Sequence, residues 1–252
     1  MKSKKLEFPG HSGDTLSARI DFPDKGEPEA FVLFAHCFTC SKNLKAVGNI
    51  ARSLNDQGFA VFRFDFTGLG ESEGDFANTN FSSNIDDLIA AASYMSKEYR
   101  SPEILVGHSL GGAAVLQAAH KIESCKAVAT IGAPSSPEHV KKNFAPKLDE
   151  IEEKGEAEVT LAGRSFNIKK QFLDDLERSN MKNRIENLDR ALVIFHSPID
   201  NTVGIENAAE IFIQAKHPKS FISLDNADHL LGKEEDSKYV GSMLATWASK
   251  YL

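Results

Sequence analysis

GHSLGG, from Gly107 to Gly112, sets one serine among three glycines, after the apolar run EILV and before the helix-forming run AAVLQAA. The spacing fits G-x-S-x-G, a strand-to-helix turn sharp enough to strain Ser109 and project its hydroxyl as a nucleophile. Glycine is required at 107 and 111 because a Cβ there would crowd backbone across the turn. The competing reading is a phosphate-binding loop. A Walker-type loop carries lysine after its last glycine, and here Ala113 follows Gly112.

A serine nucleophile needs a base to take its proton and a carboxylate to orient that base. With an elbow of this kind the chain order is nucleophile, acid, base. His229, in DNADHLL, directly follows the apolar run KSFISLD and is the expected base. His139 and His217 lie in helical or solvated contexts, and His196 ends a strand where it is expected to pack. His108 and His120, at and beyond the elbow, are read as structural. Asp200, in FHSPIDNTV just past the run ALVIFHSP, is the expected acid. Asp225 and Asp228 are so near His229 that they are read as shaping its loop. A tetrahedral oxyanion needs N–H donors. One is the backbone N–H of Leu110, and the second should come from the loop after the strand ending at His36, HCFTCSKN.

That loop also contains Cys37-x-x-Cys40, a spacing shared with redox pairs and half metal sites. A thioredoxin-type pair needs an exposed thiolate stabilised at a helix N-terminus, whereas this one follows a strand. A zinc site would need further ligands, and only Cys125 remains among the thiols. The sulfurs are therefore expected to flank a buried turn rather than to form a redox couple. Three cysteines, an odd and low count, argue against a disulfide framework and fit a reducing cytoplasm.

Positioning these groups requires strands that end together. Near-continuous apolar runs (EAFVLFAH, AVFRFDF, EILVGHS, AVATIGAP, ALVIFHSP, KSFISLD) alternate with amphipathic helical stretches such as Leu44–Gln57 and Asn84–Tyr99. TLSARIDF alternates like an edge strand. The alternation implies a mostly parallel α/β sheet covered on both faces. Between Pro134 and Asp189 a charged helical stretch, a hairpin (EVTLAGRSFNI) and a second helix interrupt the rhythm. At about fifty residues this is an insertion rather than a crossover. It is expected to be a lid over the strand ends, where open α/β sheets bind ligands.

The 252 residues, 41% hydrophobic and 26% charged, suit one α/β domain over 1–252 with its insertion at about 134–189. A net charge of −7 argues against nucleic acid or an anionic membrane as the main partner. The basic start lacks the apolar core of a signal peptide, and no run approaches the roughly 18 apolar residues of a membrane span. A small-molecule ester is the expected partner, and a homodimer stays open.

Five segments together carry a wider resemblance: HCF, DFTGLGES, GHSLGG, SPIDNTV and ADH. Over nearly its whole length the chain resembles the α/β-hydrolase superfamily. Its loops FAHCFTCSKNLKA, FRFDFTGLGESEGDFANTNFSSN and HPKSFISLD more narrowly resemble serine esterases found fused to OsmC-type domains, although no OsmC-like domain is expected after Leu252 and no peroxide-handling role with it. It is also similar to cinnamoyl and feruloyl esterases. That resemblance implies Phe38 N–H as the second oxyanion donor, with Cys37 where the superfamily usually has glycine, and a loop-structuring role for Asp65 and Ser72. The expected activity is ester hydrolysis through an acyl-enzyme, with Ser109, Asp200 and His229 catalytic and no metal or organic cofactor required. A thioesterase or peptidase, a binding module whose triad has lapsed, and a redox protein using Cys37 and Cys40 are the alternatives.

Overall fold

The six near-continuous apolar runs each become a strand, and their lengths fix where the intervening loops emerge. The computed structural model describes residues 2–161 and 163–252. The chain opens with β1 (Lys2–Pro9) and β2 (Thr15–Phe22), paired antiparallel. There follow β3 (Phe31–Ala35), α1 (Lys45–Asp56), β4 (Ala60–Phe64), α2 (Phe81–Glu98), β5 (Ile104–His108), α3 (Leu110–Ala118) and β6 (Ala127–Ile131). The insertion contributes a 3-10 helix (Pro137–Lys147), α4 (Leu148–Lys154), the hairpin β7 (Glu156–Leu161) and β8 (Arg164–Lys169), α5 (Lys170–Arg178) and α6 (Met181–Glu186). The fold closes with β9 (Ala191–His196), α7 (Glu206–Gln214), β10 (Lys219–Ser223) and α8 (Glu234–Ala248).

The main sheet has the order β1-β2-β4-β3-β5-β6-β9-β10, and every pair from β4 to β10 is parallel. β3 to β6 and β9 are buried along their whole length, as strands covered on both faces must be. One expectation is corrected. TLSARIDF lies inside the sheet as β2, because KSKKLEFP pairs along its outer side. In β1 only Phe8 is fully buried, so the sequence offers too little alternation to mark a strand.

Two apolar layers flank the sheet. α1 and α8 cover one face, crossing so closely that a Cβ on Gly241 would lie 2.6 Å from the Ser53 Cβ. α2 and α3 cover the other. α2 starts in a capping box between Asn80 and Ser83. The insertion packs into this second layer: Phe144, Ile151, Phe172, Leu176 and Ile185 are buried in one cluster with Leu33, Phe62 and Leu105. Asp175 of α5 accepts the Ser82 N–H in the first turn of α2 at 2.7 Å, so α5 also satisfies a helix end. Phe172 is the hub, with ring centroids 5.6 Å from Phe38, 5.9 Å from Phe144 and 6.4 Å from Phe76. Among the described residues no helix is long and apolar enough to cross a membrane.

Burial of this depth gives a direct test. Phe172→Ala should lower the unfolding free energy by about 3–5 kcal/mol, the range for a buried phenylalanine whose site cannot collapse. Denaturant titration measures it, and a loss below about 1 kcal/mol would mean that the insertion packs only loosely on the core.

Candidate active site

β5 delivers its last residue, His108, to the carboxyl edge of the sheet, and the chain must then turn back at once as α3. Ser109 makes that turn at φ 55°, ψ −125°, a conformation few non-glycine residues hold. Three close approaches enforce it. A Cβ at Gly107 would lie 2.2 Å from the Gly111 carbonyl oxygen, and one at Gly112 would lie 2.4 Å from the Ala133 Cβ. A Cβ at Gly111 would lie 2.4 Å from the His36 carbonyl oxygen. The Ser109 turn is therefore pressed against the loop that leaves β3. The Ser109 N–H donates to Ile131 O at 2.8 Å, while its hydroxyl makes no capping bond to α3.

The hydroxyl faces His229 instead. Ser109 Oγ lies 3.0 Å from His229 Nε2, and His229 Nδ1 lies 2.7 Å from Asp200 Oδ2. A carboxylate oxygen only accepts, so Nδ1 carries the proton and Nε2 is the lone pair that meets the serine. The other carboxylate oxygen of Asp200 accepts the N–H groups of Thr202 (2.8 Å) and Val203 (2.9 Å). Burial pushes this carboxyl up, but the His229 and backbone N–H donors outweigh it and hold Asp200 below the usual carboxylate value. The structure thus brings Ser109, His229 and Asp200 into one hydrogen-bonded chain. Asp225 takes the Ser223 hydroxyl, and Asp228 takes the N–H groups of Leu230 and Gly232, so both stay within the His229 loop.

Histidines set aside in the sequence hold these loops. His108 Nε2–H donates to the His229 carbonyl at 2.7 Å. Burial, helped by the neighbouring His229, pushes it down to about 3, so it stays neutral. His196 Nε2–H donates to Val203 O at 2.8 Å and His139 Nε2–H to Thr202 O at 2.7 Å, tying two successive carbonyls of the loop just after Asp200. One site residue escapes the sequence reading altogether. Gly132, at φ 54°, has its Cβ direction 3.2 Å from Asp200 Oδ2 and 3.3 Å from His229 Nδ1, so any side chain would press on the Asp200–His229 pair. Its only sequence signal is a glycine directly after the strand AVATI.

The loop after β3 holds a correction. Cys37 and Cys40 are joined by a disulfide, with Cα atoms 5.3 Å apart. The Cys40 N–H closes a turn on Cys37 O at 3.1 Å, and this brings the two Cα atoms within bridging range. Thr39 within the turn sits at φ 61°, and the Arg164 guanidinium, from the inserted hairpin, donates to its carbonyl. Buried His36 donates from Nδ1 to Cys37 O at 2.8 Å. Among the described residues the N–H groups of Phe38 and Leu110 form no hydrogen bond. Cys125 is a buried free thiol that burial pushes up to about 12. A cavity of about 760 Å³ lies at the amino ends of β6, β9 and β10, lined by Lys126, Arg190 and His217. It is at the opposite edge of the sheet from Ser109 and its hydrogen-bonded chain. No group of three or more His, Cys, Asp or Glu residues among those described is arranged to hold a metal ion.

The Hydrolase_4 family model, described as serine aminopeptidase, S33, matches residues 26–154, more than half of the chain. The chain belongs to this family. The chain is also similar to the esterase domain of a Rhodothermus marinus protein, 52% identical over the whole chain and 99% of that domain, with a TM-score of 0.83. Est1E of Butyrivibrio proteoclasticus, solved with ferulic acid bound, is 19% identical with a TM-score of 0.80 over 98% of this chain and 99% of that one. That similarity establishes the α/β-hydrolase fold. Rat mitochondrial palmitoyl-protein thioesterase ABHD10 is 31% identical over 129 residues, 50% of this chain and 42% of that protein. The chain spans less than half the length of that relative.

The bridge is open to a mass measurement. Iodoacetamide under denaturing, non-reducing conditions should add one adduct, at Cys125, and three after reduction. Three adducts without reductant would contradict the disulfide.

Proposed function

We propose that this protein is a serine hydrolase that cleaves carboxylic esters of short to medium or aromatic acids through an acyl-enzyme. The observation that supports this most is the chain Asp200–His229–Ser109, ending on a serine whose backbone strain aims its hydroxyl at the base. Its membership of a hydrolase family and its 52% identity to an esterase domain agree with it.

In the first step Ser109 Oγ attacks the ester carbonyl while His229 Nε2 takes its proton. Asp200, already ionised, holds the Nδ1–H tautomer and stabilises the imidazolium that forms. The negative charge that develops on the carbonyl oxygen is taken by the N–H groups of Leu110, at the start of α3, and of Phe38. Each such donor is worth about 3 kcal/mol of barrier. Collapse expels the alcohol, which receives the proton from His229. Water activated by the same imidazole then releases the acid and restores Ser109. Ile199 and Leu230, next in sequence to Asp200 and His229, are 54% and 46% exposed, apolar groups suited to an ester. The insertion acts as a lid whose Phe144 and Phe172 back the ring of Phe38. Thioester cleavage uses the same machinery, and the similarity to a palmitoyl-protein thioesterase makes acyl thioesters the second substrate class to assay.

Intact mass after incubation with a fluorophosphonate should show one adduct, absent from Ser109→Ala. That variant should fold and lose several orders of magnitude in p-nitrophenyl ester turnover, keeping only the residual effect of the oxyanion donors. Near-normal turnover would end the serine-hydrolase reading. Of the carboxylates, Asp200→Asn should cost about 10⁴-fold in kcat, because the amide favours the wrong imidazole tautomer. Asp225→Asn and Asp228→Asn should stay within about tenfold, since they touch only the loop backbone and Ser223. If either exceeds Asp200→Asn, the acid is misassigned.

A further inference from the structure

Lys42 is a lysine with a side chain only 1% exposed, in a protein whose other lysines serve the surface or rim. Lysine is almost never buried unless it is paired. Its Nζ lies 2.6 Å from Asp65 Oδ2 and 2.7 Å from Glu71 Oε2. Its backbone N–H also donates to Asp65, at Oδ1, at 2.6 Å. Its carbonyl accepts from Arg63 Nη1 at 2.6 Å, and Arg63 is paired with buried Asp21. Asp65 in turn receives the Glu71 N–H at 2.9 Å, and its carbonyl accepts the Ser72 hydroxyl at 2.6 Å. Every polar group of Lys42, main chain and side chain, is thus fixed, and Asp65 takes two of its donors.

Six residues separate Lys42 from Ala35, where β3 pairs with Gly107 of β5. Between these two anchors hangs the disulfide-closed turn Cys37–Cys40, with the Phe38 N–H on it. The bridge makes that turn a small ring but says nothing about how the ring is oriented over Ser109. Orientation has to come from the two ends. The strand and the Gly111 contact set one end, and Lys42 sets the other. A buried ion pair is a poor means of adding stability, because desolvation offsets most of its attraction, but its short charge-assisted bonds are strongly directional.

We propose that Lys42 is a positioning residue of the hydrolytic site, orienting through Asp65 the loop that aims the Phe38 N–H at the oxyanion. This rests on the serine-hydrolase reading above. Loss of Lys42 is then felt where the oxyanion forms and not in substrate binding.

The test compares Lys42→Met with wild type, with active sites counted by fluorophosphonate titration. Per titrated site, kcat should fall about 10- to 100-fold while KM stays within about twofold, as for a donor displaced by a fraction of an ångström to an ångström. The inhibition constant of a trifluoromethyl ketone, whose adduct carries an oxyanion, should rise by the same factor as kcat falls. That of the corresponding non-tetrahedral amide should not move. A lysine serving only stability would lower Tm and the number of titratable sites, and leave all three constants per site unchanged. That result, or a fall carried entirely by KM, overturns the proposal. If Lys42→Met gives no folded protein, Glu71→Gln decides, because Glu71 is 49% exposed and its loss weakens the same clamp. A reproducible fall in kcat per site of about threefold, with KM unchanged, supports the proposal, and wild-type kcat overturns it. Failure of the functional reading is seen separately, as a wild-type protein that neither turns over esters nor takes the fluorophosphonate, and the proposal falls with it.

Discussion

A serine at φ 55° between a strand and a helix is held there by crowding, and the crowding comes from glycine. Such a backbone costs about 1–3 kcal/mol and persists only where its surroundings leave no alternative. Here the alternatives are removed by contacts that no Cβ would permit, at Gly107, Gly111 and Gly112. The same contacts bring the end of β3 and the residue after Gly132 against the turn. One crossing of main chains therefore sets the heights of Ser109, of the Phe38 loop and of the Asp200–His229 pair relative to each other. Loops alone, without that crossing, would have no shared reference.

Charge around the crossing is sparing. Burial lowers His36, His108 and His196 below the ordinary imidazole value, so each works as a neutral donor that ties a loop carbonyl. Asp200 is left as the charge next to His229, and an imidazole flanked by one carboxylate has one sensible tautomer. The other dense charges, Asp65 with Lys42 and Asp21 with Arg63, lie in and beyond the loop that leaves β3, and each is matched by an opposite partner.

Much of this was legible in the chain. Fully buried strands are written as unbroken apolar runs, and the elbow is written as glycines at fixed offsets, so β3 to β6, β9 and Ser109 could be read directly. Asp200 and His229 followed from chain order and from their places just past strands. What was hidden depends on neighbours distant in sequence. Lys42 reads as a surface lysine until Asp65 and Glu71 fold over it. Gly132 reads as a turn glycine until His229 and Asp200 arrive above it. The Cys37–Cys40 bridge depends on a turn that the odd cysteine count obscured. β1 was missed because pairing with β2, rather than burial, makes it a strand.

That first strand has an effect on how the molecule meets copies of itself. β1 forms one margin of the sheet, and its outer rim is a row of backbone groups able to recruit another strand. Lys2, Lys4 and Lys5 stand exposed along it. A second molecule docking edge to edge would have to bring its strand in among these ammonium groups and strip water from them. The hydrophobic investment of the sheet is thereby kept out of reach of intermolecular β-pairing, and the tendency to grow fibrils or clumps from this side is suppressed at the level of three side chains.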